Sequence, residues 1–519
     1  MLSAPRSELA AAEAILIIIP FMRSQNQDSV GVFLAALFVF LFGSPSYSEA
    51  AETRALKAGA AMSDITPHMG TLLDGAITSN GPALHVHDNL HARGLVVDDG
   101  ATRIAIVVCD STMIDRTVMD HAKEMIKERC GLPSNRVLVS ATHTHATPRT
   151  LPGLTDSPLN AEYERFLSRR IADTVEQAIA NLAPAQVGWT RFQKPEYVHN
   201  RRWFLKAGSD MGNPFGEVGD QVKMNASGDG LINAAGPVDP EVFALSIQTD
   251  SGRPIALLAN YGTHYVGGYR RGHVSADYFG LFSEKVETLI GEAWMKRNPD
   301  APDFPPFVAM MTNGTSGDVR ATDLSVPKKA YQPWELMEEV AESLARDVEE
   351  LYPSIEYAKN LRVNMVEREL KLGVRKPSPE RVQWAREVFA KYENNPELPR
   401  PKHTLNPLVY AREALALNEF PDRKGVIVQA ICLGDLAIVS SPCETFAETG
   451  LAIKRESPFE STFTIELANG ADGYLPTREH HKYGGYETWE ARSSFLEVNA
   501  ESEIRGTQLE LLRELHESK

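Results

Sequence analysis

The sequence predicts an α/β protein in which helices flank a mixed β-sheet, and three observations lead to this prediction. The runs 103–109 (RIAIVVC) and 136–140 (RVLVS) are short and apolar, as buried strands are. A helical pattern over 115–129 lies between them, and Pro133 follows its end. This order of strand, helix and strand is the signature of a βαβ unit.

The same alternation of strands and helices continues along the chain. Helical patterns cover 161–182, 279–296 and 501–516, and strand patterns cover 242–248, 255–260, 307–311, 426–432 and 436–440. Residues 376–424 interrupt this rhythm, because they are charged and helical and contain the Pro-rich stretch 396–401. We therefore expect a helical insertion at 376–424.

Composition and charge exclude several classes of protein. The chain has 519 residues, of which 43% are hydrophobic and 24% charged, as in ordinary globular proteins. Its 53 Lys and Arg residues against 69 Asp and Glu residues give a formal net charge of −16. Because such an acidic surface repels phosphate backbones, we expect no nucleic-acid partner.

The N-terminal region 1–50 has the pattern of a signal peptide. The apolar run 30–42 contains no charge and is too short to span a bilayer comfortably, but it has the length of a signal-peptide core. Small residues at Ser48 and Ala50 predict cleavage after Ala50, and hence export to the periplasm or the extracellular space. An uncleaved anchor is the alternative, and both Met1 and Met22 remain candidate starts.

Histidines follow two of the predicted strands. In Thr142-His143-Thr144-His145, which comes directly after strand 136–140, a period of two places both imidazoles on the same side of the chain. His264 comes just after strand 255–260. Because open α/β sheets bind ligands at the carboxyl ends of their strands, we expect a metal site there. The alternative is a set of ordinary core or surface histidines in a Thr-rich turn.

A second group of histidines competes with the first. His85, His87 and His91 (HVHDNLH) are equally attractive ligands by spacing alone, but they precede strand 94–97 instead of following a strand. We therefore interpret them as part of a loop that lines the site. Glu444 follows strand 436–440, where it is either a third metal ligand or an acidic residue near the start of the next helix.

Six motifs, taken in order, resemble the catalytic domain of the neutral, non-lysosomal ceramidases. They are AAMSDITP (60–67), VSATHTH (139–145), His264 followed by HVSAD (273–277), NGTSGDV (313–319), PCET (442–445) and NGADGYLPT (469–477). Their order and approximate spacing match over residues 56 to about 490. The resemblance implies a single catalytic domain over 52–519, with 376–424 inserted in it.

The resemblance also implies a zinc site and a reaction. The family's zinc ligands, two His, one Glu and one Tyr, map onto His143, His264, Glu444 and Tyr474. His145 and an arginine best matched by Arg201 are implied to bind or polarise the substrate. A zinc-bound water would attack an amide carbonyl while the metal stabilises the oxyanion. The implied protein is an exported zinc hydrolase of linear amide bonds, of the N-acylsphingosine amidohydrolase type that acts in sphingolipid metabolism.

The chain departs from the family pattern on the substrate side. Arg320 stands where the family keeps a serine, soon after the Gly-Asp pair at 317–318. A guanidinium at this position predicts a preference for substrates with an acidic or phosphate-like group near the amide. The family's C-terminal β-sandwich domain is expected to be absent, since the chain stops at Lys519 after a helical tail.

These departures leave two alternatives open. One is a zinc esterase or amidase that acts on a substrate other than a sphingolipid, and the other is a secreted binding protein without catalysis. In each case the expected partner is a small lipid-like or N-acyl molecule. A transient contact with a membrane surface is compatible with such a ligand, and the sequence does not define the oligomeric state.

Overall fold

The structure is a computed structural model that describes residues 55–73, 80–151, 157–217, 219–302, 304–399 and 405–518. The predicted signal-peptide region 1–50 and its cleavage site after Ala50 lie outside these residues. Among the helices in the described ranges, none combines the length and the apolar character that crossing a membrane requires.

A large mixed sheet contains nine of the strands in the described part of the chain. From one edge to the other, its strands are Val308–Asn313, Pro254–Tyr261, Glu241–Thr249, Ala183–Gln193, Lys57–Asp64, His91–Asp98, Arg103–Cys109 and Val137–Ala141, with Tyr357–Ala358 beside Ala183–Gln193. The pairs at the two edges are parallel, and the strands between them are antiparallel.

A second sheet packs against the large one. Its strands, in order, are Val363–Gly373, Arg423–Leu433, Leu436–Ser440 and Ser461–Ile465, of which the last two are parallel. Because side chains alternate along a strand, one face of each sheet contributes to a shared core. Ile106 of the large sheet and Ile438 and Phe463 of the second sheet belong to this core.

Helices cover the outer faces of both sheets. Arg116–Cys130 and Pro158–Ala180 pack on one half of the large sheet, and Asp277–Val286 and Glu335–Leu351 pack on the other half. Ala500–Glu517 covers the second sheet. The layers are therefore helix, sheet, sheet and helix, and burial on both faces explains why the strands read as continuous apolar runs.

Shorter elements complete the fold. The short strands are Leu72–Leu73, Gly81–Pro82, His85–Val86, His199–Asn200, Arg202–Leu205, Val222–Met224, Leu231–Ala234, His273–Val274, Val319–Arg320, Glu444–Thr445 and Tyr474–Leu475. The remaining α-helices are Ala293–Arg297, Pro379–Glu393, Pro407–Asn418, Ala447–Glu456 and Arg478–Tyr483. Of these, Pro379–Glu393 and Pro407–Asn418 lie in the predicted insertion 376–424 and pack on each other through a small apolar cluster.

The predicted fold class is confirmed, and so is the βαβ unit. Arg103–Cys109 pairs in parallel with Val137–Ala141, and the helix between them starts after Asp115, whose side chain accepts a hydrogen bond from the Thr117 backbone. Gly131 ends this helix in the left-handed conformation, at φ 68°.

The helix predicted over 279–296 is present, but its middle is not α-helical. A π-helical segment, Glu287–Glu292, separates the α-helices Asp277–Val286 and Ala293–Arg297. Gly291 lies in this segment directly against the ring of Phe307, where a β-carbon would approach the ring to 3.0 Å. The apolar periodicity does not reveal this local change of helix type.

Candidate metal centre

The polar residues of the site follow strands of both sheets. His143 follows Val137–Ala141, and His264 follows Pro254–Tyr261, so both come from the large sheet. Glu444 comes after Leu436–Ser440 of the second sheet. The carboxyl ends of these strands meet where the two sheets join.

Backbone hydrogen bonds hold this junction together. The Asn469 N–H donates to the Val139 carbonyl at 2.8 Å, and the Glu466 N–H donates to the Asn313 carbonyl at 3.1 Å. Each bond links a loop after the second sheet's strand Ser461–Ile465 to a strand of the large sheet. The site therefore has a rigid frame from both sheets.

The imidazole and carboxylate atoms converge within this frame. The Nε2 atom of His143 lies 3.2 Å from Nε2 of His264 and 3.2 Å from Nε2 of His145. Oε2 of Glu444 lies 3.3 Å from the His143 nitrogen and 3.8 Å from the His264 nitrogen. His143, His264 and Glu444 are at most 3% exposed, and His145 is partly buried.

The hydrogen bonds of the imidazoles define which nitrogen faces the centre. Nδ1 of His143 lies 2.9 Å from the Thr112 carbonyl, and Nδ1 of His264 lies 3.1 Å from the Ser316 carbonyl. Since a carbonyl only accepts, both Nδ1 atoms carry the proton and donate. The Nε2 atoms of both rings therefore face the centre, where a neutral ring presents a lone pair.

Burial favours the neutral form of His145 and His264. Burial lowers the pKa of His264 well below its ordinary value, and the nearby positive charge of Arg201 lowers it further. Burial, followed by the proximity of His143, does the same to the pKa of His145. Neutral imidazole is the form that binds metal.

These donor atoms fit a metal ion. Lone pairs that face each other at 3.2 Å repel unless a cation lies between them. Oε2 of Glu444 is buried without a hydrogen-bond partner, which is costly for a carboxylate oxygen. Two ligands of a tetrahedral zinc ion, each bound at about 2.0–2.1 Å, are about 3.3 Å apart, close to the observed separations. The group His143, His145 and His264 could therefore hold a metal.

The loop that presents His143 is strained and tightly tied. His143 has φ 74°, in the left-handed region that a non-glycine residue occupies only at a cost. Its N–H donates to the Ser111 carbonyl at 2.8 Å. The Thr112 hydroxyl donates to the Thr144 carbonyl at 2.7 Å. The Thr-rich sequence thus supplies the bonds that hold the imidazole in place.

The buried carboxyl group of Glu466, which the sequence pattern did not reveal, is linked to His264 through Ser316. Ser316 Oγ donates to Glu466 Oε1 at 2.6 Å, and Glu466 Oε2 accepts from the Thr445 N–H at 2.9 Å. Burial raises the pKa of Glu466 well above its ordinary value. The available signal was the same as for His143, because Glu466 directly follows the strand Ser461–Ile465.

Arg201 and Tyr474 lie beside the centre, as the resemblance implies. Nε of Arg201 donates to Glu487 at 2.9 Å, and its guanidinium lies 5.3 Å from the centroid of the Tyr474 ring. Tyr474 is buried and pairs in parallel with Glu444 through the short strands of these two residues. Its role as a fourth ligand stays a prediction.

Two further side chains border the substrate side. The ring of Tyr265, a residue that the sequence analysis did not single out, stacks on His145 with ring centroids 3.6 Å apart. Arg320 lies in a short strand that is antiparallel to His199–Asn200. The strand His199–Asn200 ends directly before Arg201. Nη1 of Arg320 donates to Asn225 Oδ1 at 2.8 Å.

The competing histidine group does not converge on this centre. His85 belongs to a short strand that pairs with His273–Val274, and His87 stacks on Trp334 with ring centroids 3.8 Å apart. His91 starts a strand of the large sheet. In the described part of the chain, these three do not join the metal-binding group, which contains only His143, His145 and His264.

Comparisons with known proteins agree with this geometry. A family model described as "Neutral/alkaline non-lysosomal ceramidase, N-terminal" matches residues 56–327. The structure of neutral ceramidase from Pseudomonas aeruginosa is similar, with a TM-score of 0.63 and 17% identity over 89% of this chain and 75% of that one. A ceramidase complexed with C2 is similar with a TM-score of 0.62 and 16% identity over 89% and 76%. The chain thus belongs to the neutral/alkaline non-lysosomal ceramidase family and is a ceramidase-like hydrolase of carbon–nitrogen bonds.

Proposed function

We propose that this protein is a zinc-dependent amidohydrolase that cleaves the amide bond of a ceramide-like N-acyl substrate. The observation that carries the proposal is the convergence of buried imidazole nitrogens on the Glu444 oxygen that has no hydrogen-bond partner. In this proposal His143, His264 and Glu444 hold the ion, and Tyr474 completes the set from the neighbouring short strand.

The donor set favours zinc over other metals. Imidazole nitrogen together with a single carboxylate oxygen is typical of catalytic zinc sites, whereas magnesium and calcium prefer oxygen donors alone. When bound, zinc supplies a Lewis acid for the amide carbonyl and generates a nucleophile from water at neutral pH. The frame from two sheets keeps the protein ligands in place during the reaction.

His145 and Arg201 act on the substrate in this proposal. Stacking on Tyr265 fixes the His145 ring, whose neutral Nε2 can accept a hydrogen bond or a proton at the reacting position. Nη2 of Arg201 is buried without a hydrogen-bond partner. It can donate to an oxygen of the bound substrate.

A second candidate is an amidase or esterase on a substrate that is not a sphingolipid. Arg320 favours it, because a guanidinium that has no acidic partner among the described residues suits an acidic group better than a neutral headgroup. A binding protein without catalysis is disfavoured by the intact donor set. In all three cases the ligand is a small lipid-like or N-acyl molecule, for which a transient membrane contact is compatible.

We also propose export, with cleavage after Ala50. The support for this is the uncharged apolar run 30–42 and the small residues that follow it. Edman sequencing of the protein secreted by an expression host gives the mature N-terminus directly. An N-terminus at 51 supports the proposal, and a chain retained in the membrane with residues 30–42 contradicts it.

The test of the proposed function combines metal analysis with a substrate panel. We expect purified protein to contain about one zinc per chain and to release fatty acid from ceramide or another N-acyl compound. Zinc removal by a chelator abolishes this activity, and added zinc restores it. Stoichiometric zinc without hydrolysis of any amide or ester would instead support the binding protein.

A further inference from the structure

Arg201 and Arg320 are held next to each other by one asparagine. The N–H of Asn225 donates to the Arg201 carbonyl at 2.8 Å, and its Oδ1 accepts from Nη1 of Arg320 at 2.8 Å. Asn225 has φ 56°, in the left-handed region, so its backbone adopts a costly conformation to make both contacts. The short strand Val319–Arg320 pairs with His199–Asn200, which also brings the two arginines together.

The positive charge at this place is not balanced. Arg201 and Arg202 share a single carboxylate, Glu487, at 2.9 and 2.6 Å. Arg320 donates to the neutral groups of Asn225 and Thr322. No carboxylate of the described residues lies within 4 Å of the Arg320 guanidinium. The Glu444 carboxylate also lies near Arg201, and the Asp318 carboxylate lies near Arg202, so Arg320 is the one of the three arginines with no carboxylate nearby among the described residues.

Hydrogen-bond donors are also left over. Nη2 of Arg201 is buried without an acceptor, and leaving such a donor unsatisfied costs free energy. Nη2 of Arg320 makes no hydrogen bond to the described residues either, and this side chain is only partly buried. An incoming acceptor with two oxygens can satisfy both nitrogens.

This pair of arginines lies beside the metal centre. Burial and then the charge of Arg201 lower the pKa of both His264 and Arg320, so the Arg201 charge is close to both groups. Tyr265 stacks on His145 and is close to both guanidinium groups. Burial raises the pKa of Tyr265, and the charges of Arg201 and Arg320 act in the opposite direction. A substrate whose amide reaches the metal centre can therefore place a neighbouring group at the arginines.

We propose that Arg201 and Arg320 form an anion subsite that binds the carboxylate of an N-acyl amino acid, with the scissile amide at the metal centre. The inference rests on the proposed function, since it names the substrate class of that site. A carboxylate is the chosen ligand because its single charge matches the one guanidinium, that of Arg320, which donates only to neutral groups of the described residues. In this reaction the oxygen of water adds to the amide carbon, the C–N bond breaks, a proton of the water passes to the leaving nitrogen, and a fatty acid and an amino acid are released.

Charge preference is the first test. The substrates are N-dodecanoylglycine, the neutral N-dodecanoylethanolamine and the phosphate ester of the latter. We expect the specificity constant for the glycine compound to exceed that for the ethanolamide by about tenfold or more. In Arg320→Gln this ratio should fall about ten- to a hundredfold, and Arg320→Lys should restore part of it. Arg513→Gln, an equal loss of charge on the exposed face of the helix Ala500–Glu517, should leave the ratio unchanged.

Direct binding separates this inference from the proposed function. The probe is the uncleavable ketone analogue of N-dodecanoylglycine, measured by calorimetry with the wild-type and Arg320→Gln proteins. Weaker binding to Arg320→Gln supports the subsite even if no amide is hydrolysed, in which case only the proposed function fails. Hydrolysis of both amides with no effect of Arg320→Gln on the ratio or on analogue binding overturns the subsite. A preference for the phosphate ester that depends on Arg320 overturns the assignment to a carboxylate.

Discussion

Two histidine groups have similar sequence patterns but different surroundings, because one converges in the protein interior and the other lies at the surface. In the buried group, His143, His145 and His264, the Nε2 atoms approach to 3.2 Å. In the surface group, His85 meets His273 with ring centroids 4.7 Å apart, and His87 stacks on Trp334. Close spacing in the sequence therefore does not make a metal site.

The difference lies in what the second nitrogen of each ring contacts. Backbone carbonyls of rigid loops accept from Nδ1 of His143 and His264, which directs both Nε2 lone pairs inward. Nδ1 of His87 instead lies 2.6 Å from the neighbouring carboxylate of Asp88. Its ring is exposed and has an aromatic partner. Burial and fixed acceptors distinguish ligands from surface histidines.

The largest expected effect comes from His264→Ala. It should reduce zinc affinity by about a hundredfold or more, because even partners outside the ligand set cost ten- to a hundredfold. The fold should survive, since the apolar core does not depend on the ion. Zinc content after dialysis and the thermal unfolding midpoint measure the two effects. Full zinc occupancy in this variant would remove His264 from the ligands.

Glu466→Gln should weaken zinc binding about tenfold to a hundredfold. The Glu466 carboxyl group accepts a hydrogen bond from Ser316, which lies against His264. In the Gln variant the amide NH₂ would face one of the groups that now donate to Glu466, Ser316 or the Thr445 N–H, and that hydrogen bond would be lost. Titration with a competing chelator gives the affinity. Ser316→Ala keeps the carbonyl that accepts from His264 and serves as the milder control. Equal affinity in Glu466→Gln and wild type would show that this carboxyl group only stabilises the fold.

Tyr474→Phe should have a smaller effect, about tenfold or less on zinc affinity, because it deletes one weak ligand and leaves three. The ring and its packing on Tyr486 are retained. Zinc affinity and the hydrolysis rate are measured together. A variant in which both are unchanged places Tyr474 outside the ligand set.

His87→Ala should leave zinc content and affinity unchanged and should lower the free energy of unfolding by only about 0.5–1.5 kcal/mol, through the lost contact with Trp334. It is the matched partner of His264→Ala, since both remove one imidazole. Urea unfolding and metal analysis provide the two values. Loss of zinc in His87→Ala would show that the surface group takes part in metal binding and would contradict the comparison.

The sequence predicted those parts of the fold that show strong periodicity. Arg103–Cys109 and Leu436–Ser440 have the predicted bounds, because both are short apolar strands. Lys57–Asp64 was missed because small residues dominate it, and Gly59 packs directly on the backbone of the helix Pro158–Ala180. Ala183–Gln193 was missed because it contains Pro184 and Gly188, which are unfavourable in strands, and only small apolar residues before Val187. In both strands, tertiary packing outweighs the local pattern.

The site could be predicted only in part. His143 and His264 could be predicted because each follows an apolar strand. Their distance from Glu444 could not, because it depends on how the two sheets join. Glu466 was missed although it also follows a strand, since an acidic residue there is usually exposed to solvent. The link from Arg201 to Arg320 through Asn225 depends on a loop conformation that no sequence pattern encodes.

Anomalous diffraction at the zinc edge from a crystal of the purified protein tests the central claim most directly. We expect a single strong peak at about 2.0–2.2 Å from Nε2 of His143 and His264 and from the Glu444 carboxylate. A peak among His85, His87 and His273, or no peak at the junction of the two sheets in a zinc-soaked crystal, would contradict it.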